Sequence, residues 1–262
     1  MKKIIAFVFL AFITLSFIGC GTSMNFRYED SDKYQVGEAT FSADSVKKIK
    51  GEWAGTHAII TTYEGEEIHI YEELDEGTTE KYQLHYYLNN DTLYIEPCES
   101  LMFPQFNFKV KVLHIEIPLS KSFESFDFNL VSTSGTFNDI KADDIDIDSV
   151  SGNLQLIYLQ GEKIDISAVS GSLTVSTTSG TDIKIKSVSG GVILTDLVGN
   201  VKLESTSGSL DIYIGEEVGF EIVKVERVSG VLTNEFGVLA QGDAIVKYNI
   251  ETISGDITIH KK

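Results

Sequence analysis

From Gly135 to the C-terminus, short runs of alternating apolar and polar residues break at glycine, and the breaks are evenly spaced. Ser-Gly stands at Gly135, Gly152, Gly171, Gly180, Gly190, Gly208, Gly230 and Gly255. With Gly161 and Gly199 added, the run 152, 161, 171, 180, 190, 199, 208 has spacings of 9, 10, 9, 10, 9 and 9. Counted from Gly152, Gly171, Gly190 and Gly255, apolar residues recur at −7, −5, −2, +2 and +4, and Gly230 departs only at +4, where Asn234 stands. Around Gly171 these are Ile164, Ile166, Val169, Leu173 and Val175; around Gly190 they are Ile183, Ile185, Val188, Val192 and Leu194. The pairs −7/−5 and +2/+4 have the period of two that marks a strand with one face inward. Polar Asp165, Thr174, Lys184 and Lys202 stand between them.

Glycine supplies a positive φ at a corner without steric cost, and the serine before it bonds nearby backbone to hold the bend. Each unit is then a strand plus a corner, and two units form a rung of 18–19 residues. A unit on its own is unstable. It buries about three apolar side chains, each contributing roughly 1.5–3 kcal/mol, against the ordering of about nine residues at ~1.5 kcal/mol each. Stacking supplies the missing ladder bonds and a continuous core. The predicted fold is all-β, a single parallel β-solenoid (β-helix). An antiparallel sandwich or meander is the alternative, but it does not require one side-chain register in every strand.

Residues 36–130 are less regular and richer in aromatics. Strands are predicted at Glu38–Phe41, His57–Tyr63, Glu67–Glu72, Tyr82–Leu88, Thr92–Ile95 and Lys109–Ile117, with turns at Glu64-Gly65, Glu76-Gly77 and Asn89-Asn90-Asp91. Trp53, Tyr63, Tyr71, Phe103, Phe106 and Phe108 suit an N-terminal β cap over the exposed edge of a solenoid at 131–262. No Pro-, Ser- or charge-rich linker divides the two regions, so one continuous structure is expected.

The chain begins Met1-Lys2-Lys3, followed by an uncharged, largely apolar stretch from Ile4 to Ile18. That stretch is shorter than the about 20 residues a helix needs to cross a bilayer and suits a cleaved leader. It ends in Ser16-Phe17-Ile18-Gly19-Cys20, which resembles a bacterial lipobox, although Phe17 and Ile18 stand where leucine and a small residue are usual. The expected organisation is a lipoprotein signal peptide at 1–19, lipid attachment at Cys20, and a flexible tether over 20–35. The protein would then be extracytoplasmic and anchored to the cell membrane through Cys20. A secretory leader with an incidental cysteine is the alternative.

Lys50-Gly51-Glu52-Trp53-Ala54-Gly55, then Tyr63 to Glu72, the Ile117-Pro118 element and the serial Val/Thr-Ser-Gly repeats together resemble the bacterial putative-adhesin family of β-strand-repeat proteins. This is a domain-of-unknown-function family found on exported lipoproteins and some envelope-stress proteins. The resemblance covers roughly residues 40–260. It implies a β-solenoid at the cell surface and carries over no catalytic residues.

The formal charge of −18 repels phosphate backbones, so nucleic acid is not an expected partner. Cys98 has no partner if Cys20 is lipidated, and two cysteines without a histidine at ligand spacing make no zinc site. Nucleophile-elbow, zincin, P-loop and dinucleotide motifs are absent. His57, His69, His85, His114 and His260 are scattered, and alternation places His69 and His85 toward solvent. Asp143, Asp144, Asp146 and Asp148 suggest calcium, but Ile145 and Ile147 take the inward positions and leave Asp146 and Asp148 on a solvated face. Arginine is limited to Arg27 and Arg227, unlike β-helical polysaccharide lyases, whose sites combine acidic residues with Arg or Lys on one face. The expectation is no catalytic residue, no metal and no cofactor. The function expected is a non-catalytic, adhesin-like binding or structural module whose partner is an envelope protein or a glycan. A regulatory envelope-stress protein bound to a membrane partner is the alternative, and a carbohydrate-active β-helix enzyme is a third reading.

Overall fold

The computed structural model describes residues 27–102 and 108–262. The leader, Cys20, Phe103 and Phe106 lie outside the described residues. The N-terminal part contributes β1 (Gln35–Val36), β2 (Ala39–Ser42), β3 (Lys48–Trp53), β4 (His57–Tyr63), β5 (Glu67–Leu74), β6 (His85–Asn89), β7 (Thr92–Glu96) and β8 (Lys111–Pro118). The repeat region begins with β9 (Phe123–Leu130), β10 (Ser134–Asn138), β11 (Ala142–Ser149), β12 (Leu154–Ile157) and β13 (Gln160–Ala168). It continues with β14 (Leu173–Ser176), β15 (Ser179–Ser187), β16 (Val192–Thr195), β17 (Val198–Ser205) and β18 (Leu210–Ile214). The last strands are β19 (Phe220–Arg227), β20 (Leu232–Asn234), β21 (Ala240–Gln241), β22 (Val246–Thr252) and β23 (Ile257–Lys261).

These strands form two long sheets. The first has the order β1-β6-β7-β3-β9-β11-β13-β15-β17-β22-β19-β21, and the second β2-β5-β8-β4-β10-β12-β14-β16-β18-β23-β20. Pairing is parallel from β7 to β19 in the first and from β8 to β20 in the second. One strand from each sheet makes a rung, and the stacked rungs give a β-solenoid-like architecture. Ile164 pairs with Ile183 and Leu173 with Val192, so like positions stack one rung apart. A register shift between Ser179 and Asp182 absorbs the change to a shorter rung at β17. The inward isoleucines of β11, β13 and β15 meet the inward leucines and valines of β12, β14 and β16 in one buried cluster.

The two corners of a rung are built differently. At the Ser-Gly corner, Gly152, Gly171, Gly190 and Gly208 have φ between 104° and 116°. A Cβ on Gly190 would run into the carbonyl oxygen of Gly171, and one on Gly171 into that of Gly152. Positive φ and close stacking both exclude a side chain there. The opposite corner does not turn at Gly161 or Gly180, which lie in β13 and β15 without positive φ. It turns at Asp139, Tyr158, Thr177 and Asp196, with φ of 58°, 57°, 49° and 53°. Ile140, Leu159, Thr178 and Leu197 follow and fill that edge of the core. Gly161, Gly180 and Gly199 stack on one another, each against the carbonyl of the rung before. Gly135 lies in β10, with Leu130 and Leu154 side chains where its Cβ would be.

The apolar residue at −2 faces outward. Strict alternation carries the inward set from −7 and −5 to −3, where Ser149, Ala168, Ser187 and Ser205 are buried. Val150 and Val188 therefore emerge on the surface, 47% and 37% exposed. Only small side chains occur at −3 in these rungs, where the two sheets converge on the corner.

Chain order and stacking order part company at both ends. β22 and β23 insert between β17/β18 and β19/β20, so the glycine column runs Gly208, Gly255, Gly230. Likewise β3 and β4 lie between β7/β8 and β9/β10. Parallel stacking thus extends into residues 36–130 and does not begin at 131. The antiparallel strands β1, β6, β2 and β5 flank it at that end.

Three further expectations are corrected. Residues 27–35, expected within the tether, include a single-turn helix at Ser31–Lys33 and the start of β1, and Tyr28 and Tyr34 pack against the body. A similar turn occupies Glu80–Tyr82, so β6 starts only at His85. His85 is buried at 6% exposure, between its partners Val36 of β1 and Glu96 of β7 and with Nδ1 2.9 Å from the Gln83 carbonyl oxygen.

Candidate functional site

On the outward side of the first sheet, parallel register sets side chains in rows that run across the rungs. One row passes through Lys50, Asp127, Asp146, Asp165, Lys184 and Lys202. The adjacent row passes through Glu52, Asn129, Asp148, Ser167, Lys186 and Glu204. Alternation with buried Phe126, Phe128, Ile145, Ile147, Ile164 and Ile166 fixes which face these residues occupy.

Where the rows change from aspartate to lysine lies an open groove of about 570 Å³. Asp146, Asp148 and Asp165 line one part, Lys184 and Lys186 the other, and Val150 and Val169 contribute apolar surface. Burial first, then the Asp148, Asp127 and Asp165 carboxylates, push Asp146 up to about 6. Burial also raises Asp127, against the pull of Lys50. On the basic side, burial and then the Lys184 charge lower Lys186. Like charges are thus held close together on each half, and a ligand of complementary pattern relieves that repulsion.

The second sheet presents a more neutral outer face, with Thr136, Gln155 and Thr174 in a row. His57 Nε2 lies 3.0 Å from Thr136 Oγ1. At the far end His260 stacks on Tyr213 at 4.4 Å and sits 3.0 Å from Asp211. His69 bonds Thr40, and His114 bonds Glu73 and stacks on Tyr71.

His57 and His69 meet threonine hydroxyls, and His114 and His260 meet carboxylates, each on a different partner. Among the described residues no three His, Cys, Asp or Glu side chains are grouped to hold a metal ion. Cys98 is buried and unpaired, and burial pushes its thiol up to about 12, which makes it a poor nucleophile at neutral pH. No helix among the described residues is long and apolar enough to cross a membrane.

The corner glycines do not line the groove; they set the register that builds it. The groove is readable in the repeat at −6 and −4 from each glycine, where the pairs are Asp146/Asp148, Asp165/Ser167 and Lys184/Lys186. Taken one strand at a time these are solvated charges. Only the rung register joins them into rows.

A family model described as Toastrack DUF4097 matches residues 47–262. No curated protein matches the chain. Among solved structures, one from Bacteroides fragilis named a putative adhesin is 14% identical, with 86% of this chain and 97% of that chain covered at a TM-score of 0.48. A Clostridium sporogenes structure named a putative cell adhesion protein is 12% identical over 87% of this chain and 100% of its own, at 0.39. A Parabacteroides distasonis structure named a putative lipid binding protein is 15% identical over 88% and 97%, at 0.37.

Proposed function

We propose, for a chain that belongs to the Toastrack DUF4097 family, a non-catalytic binding module tethered outside the cell membrane by lipid on Cys20. The observation that carries this reading is the pair of in-register rows through Asp146, Asp165, Lys184 and Asp148, Ser167, Lys186, with the two-signed groove between them. Regularly spaced, individually weak contacts along such rows gain affinity by acting together. A glycan or an extended segment of an envelope protein fits that spacing, whereas the net charge of −18 disfavours nucleic acid.

In this reading residues 131–262 are the working length of a single solenoid. The N-terminal strands, with buried Trp53, close its membrane-proximal end, and the leader over 1–19 is removed. A regulatory role is the second reading, favoured by the exposed Val223, Val228, Val231 and Leu239 around the last rung, which suit one protein partner.

The test uses labelled intact protein on whole cells and on a glycan array, alongside pull-down from solubilised membranes. Saturable cell or glycan binding weakened by Lys184→Glu supports the adhesin-like module, and its absence overturns it. One stoichiometric membrane-protein partner insensitive to Lys184→Glu selects the regulatory reading. A Cys20→Ala protein that stays in the membrane fraction overturns the lipid anchor.

A further inference from the structure

A second concavity lies beyond the acidic end of the same face. The outward rows continue past Lys50 to Tyr94 of β7 and Tyr87 of β6. Gly51 pairs with Ile95, so the next residues, Glu52 and Glu96, lie side by side. The segment from Tyr28 to Tyr34 folds over this corner of the sheet. Tyr28 Oη donates to the Cys98 carbonyl at 2.9 Å. Tyr34 packs between Tyr28 and Tyr87, with ring centroids 4.4 and 5.5 Å away, and Tyr87 lies 6.3 Å from Tyr94. The result is a cleft of about 360 Å³ walled by these four tyrosines, with Glu52, Glu96 and Asp127 among its other lining residues.

Glu96 is the unusual member. It is 7% exposed, and its Oε2 is buried without a hydrogen-bond partner. A buried oxygen of this kind is costly unless a donor reaches it. Among the described residues the charged groups lining the cleft are Glu29, Asp30, Glu52, Asp127 and Lys50, and at its rim Lys33 Nζ pairs with Asp30 and lies 5.7 Å from the centre of the Tyr87 ring. Lys50 stands opposite Asp127 in register and acts on that carboxylate. Glu52 and Glu96 thus face each other across adjacent strands beside a wall of tyrosine rings.

We propose that this cleft binds an organic ammonium group, seated on the tyrosine rings with its charge toward Glu96 and Glu52. Ring faces attract a cation, most strongly where water is excluded. A cation lets both carboxylates ionise side by side, because its charge offsets the repulsion that otherwise keeps Glu96 protonated. A neutral ligand supplies no such offset, and an anion opposes ionisation. The site also couples binding to a proton. Burial first and Glu52 second push Glu96 up to about 9, so at neutral pH it carries a proton that a cation displaces. Affinity then rises with pH up to that value. The ammonium belongs either to a phospholipid headgroup or to a free amine. The cleft shares Glu52 and Asn129 with the groove, but the inference rests on Glu96 and the tyrosines, which the groove lacks, so the two proposals are tested separately.

The test is calorimetric titration of the full chain in detergent with choline and ethanolamine, against 3,3-dimethylbutan-1-ol, the uncharged isostere of choline. At least one of the two cations should bind about tenfold or more tightly than the alcohol, and more tightly at pH 8 than at pH 6. Glu96→Gln should abolish the pH dependence, and Tyr34→Leu should weaken the cation more than the alcohol. If neither cation outbinds the alcohol in the unmodified protein, the proposal is overturned whatever the variants do. It is equally overturned if Glu96→Gln binds the cation unchanged at both pH values. Glycerophosphocholine binding tighter than choline assigns the lipid headgroup, and the reverse order assigns a free amine; both support the ammonium site.

Discussion

Lys111 Nζ lies 2.8 Å from Glu72 Oε2, and the two side chains are 1% and 5% exposed. The ammonium also donates to the Tyr82 carbonyl at 2.8 Å and sits 4.5 Å from the centre of the Trp53 ring. Glu72 in turn accepts from the Leu84 backbone N–H. Burial alone raises Glu72 and lowers Lys111, so each charge depends on the other. Lys111→Met strands a buried carboxylate and should destabilise the protein by about 3–5 kcal/mol in urea unfolding. The double variant Lys111→Met, Glu72→Gln should recover a large part of that loss. A single variant within about 0.5 kcal/mol of wild type would show that the pair carries no structural weight.

The glycine column makes a sharper contrast. Gly171 has φ of 104°, and a Cβ there meets the Gly152 backbone. Gly191, in the next corner, has no positive φ, and its Cβ would meet only Ser209 Oγ, at 3.4 Å. Gly171→Ala should cost at least about 2 kcal/mol through strain and displacement of the rung. Gly191→Ala should stay within about 0.5 kcal/mol. Equal costs for the two in thermal melts would mean that the column is not what fixes the corner.

β19 pairs with β22 and β21, and β20 pairs with β23. The rung at 220–234 therefore has its parallel neighbour in the segment that follows it. Removing residues 246–262 should release 216–245 as well, while β17 and β18 keep their pairing on the other side. Limited proteolysis of that truncated protein should cut throughout 216–245. Protection of this segment would indicate that it docks directly on β17 and β18.

That threading marks where the sequence stops being readable. The rung length and the Ser-Gly corner follow from Gly152, Gly171, Gly190 and Gly208, because stacking repeats one residue type at one position. The second corner recurs just as regularly, but Asp139, Tyr158, Thr177 and Asp196 share only a left-handed backbone, not a residue type. The parallel partners of β3 and β22 are non-adjacent in sequence, and local periodicity carries no information about that choice. The aromatic cleft is concealed for the same reason. Tyr28, Tyr34, Tyr87 and Tyr94 come from three separate segments, and only the fold of residues 27–36 over β6 and β7 brings them together. The groove lies between these extremes, since its charges occupy fixed places in the repeat but gain meaning only from the register.

The narrow edge beneath the Ser-Gly corner offers a gain of stability. Ser149, Ser187 and Ser205 are buried there with hydroxyls that have no hydrogen-bond partner, whereas Ala168 occupies the same place one rung along. A buried unpaired hydroxyl costs about 1–3 kcal/mol, and alanine already fits the space. Ser187→Ala should raise the unfolding free energy by up to about 1 kcal/mol. A loss of stability would indicate a partner for the hydroxyl, such as an ordered water.

Stability should also fall as the solution becomes more alkaline, and Glu96 gives the sign. Its proton is held up to about pH 9 in the folded chain, whereas an unfolded glutamate releases it near pH 4.3. Between these values the folded state binds the extra proton. The contribution is complete below about pH 4.3 and is lost as pH rises toward 9. Asp146, pushed up to about 6, acts in the same direction over the lower part of that window. Urea melts at pH 5 and pH 8 should show the greater stability at pH 5, and Glu96→Gln should reduce the difference. The comparison between the two proteins matters, because mutual repulsion among the remaining carboxylates also grows with pH and is common to both. A pH difference identical in wild type and Glu96→Gln would place the ionised form of Glu96 in contact with solvent or a donor, and with it the buried unpaired oxygen would disappear.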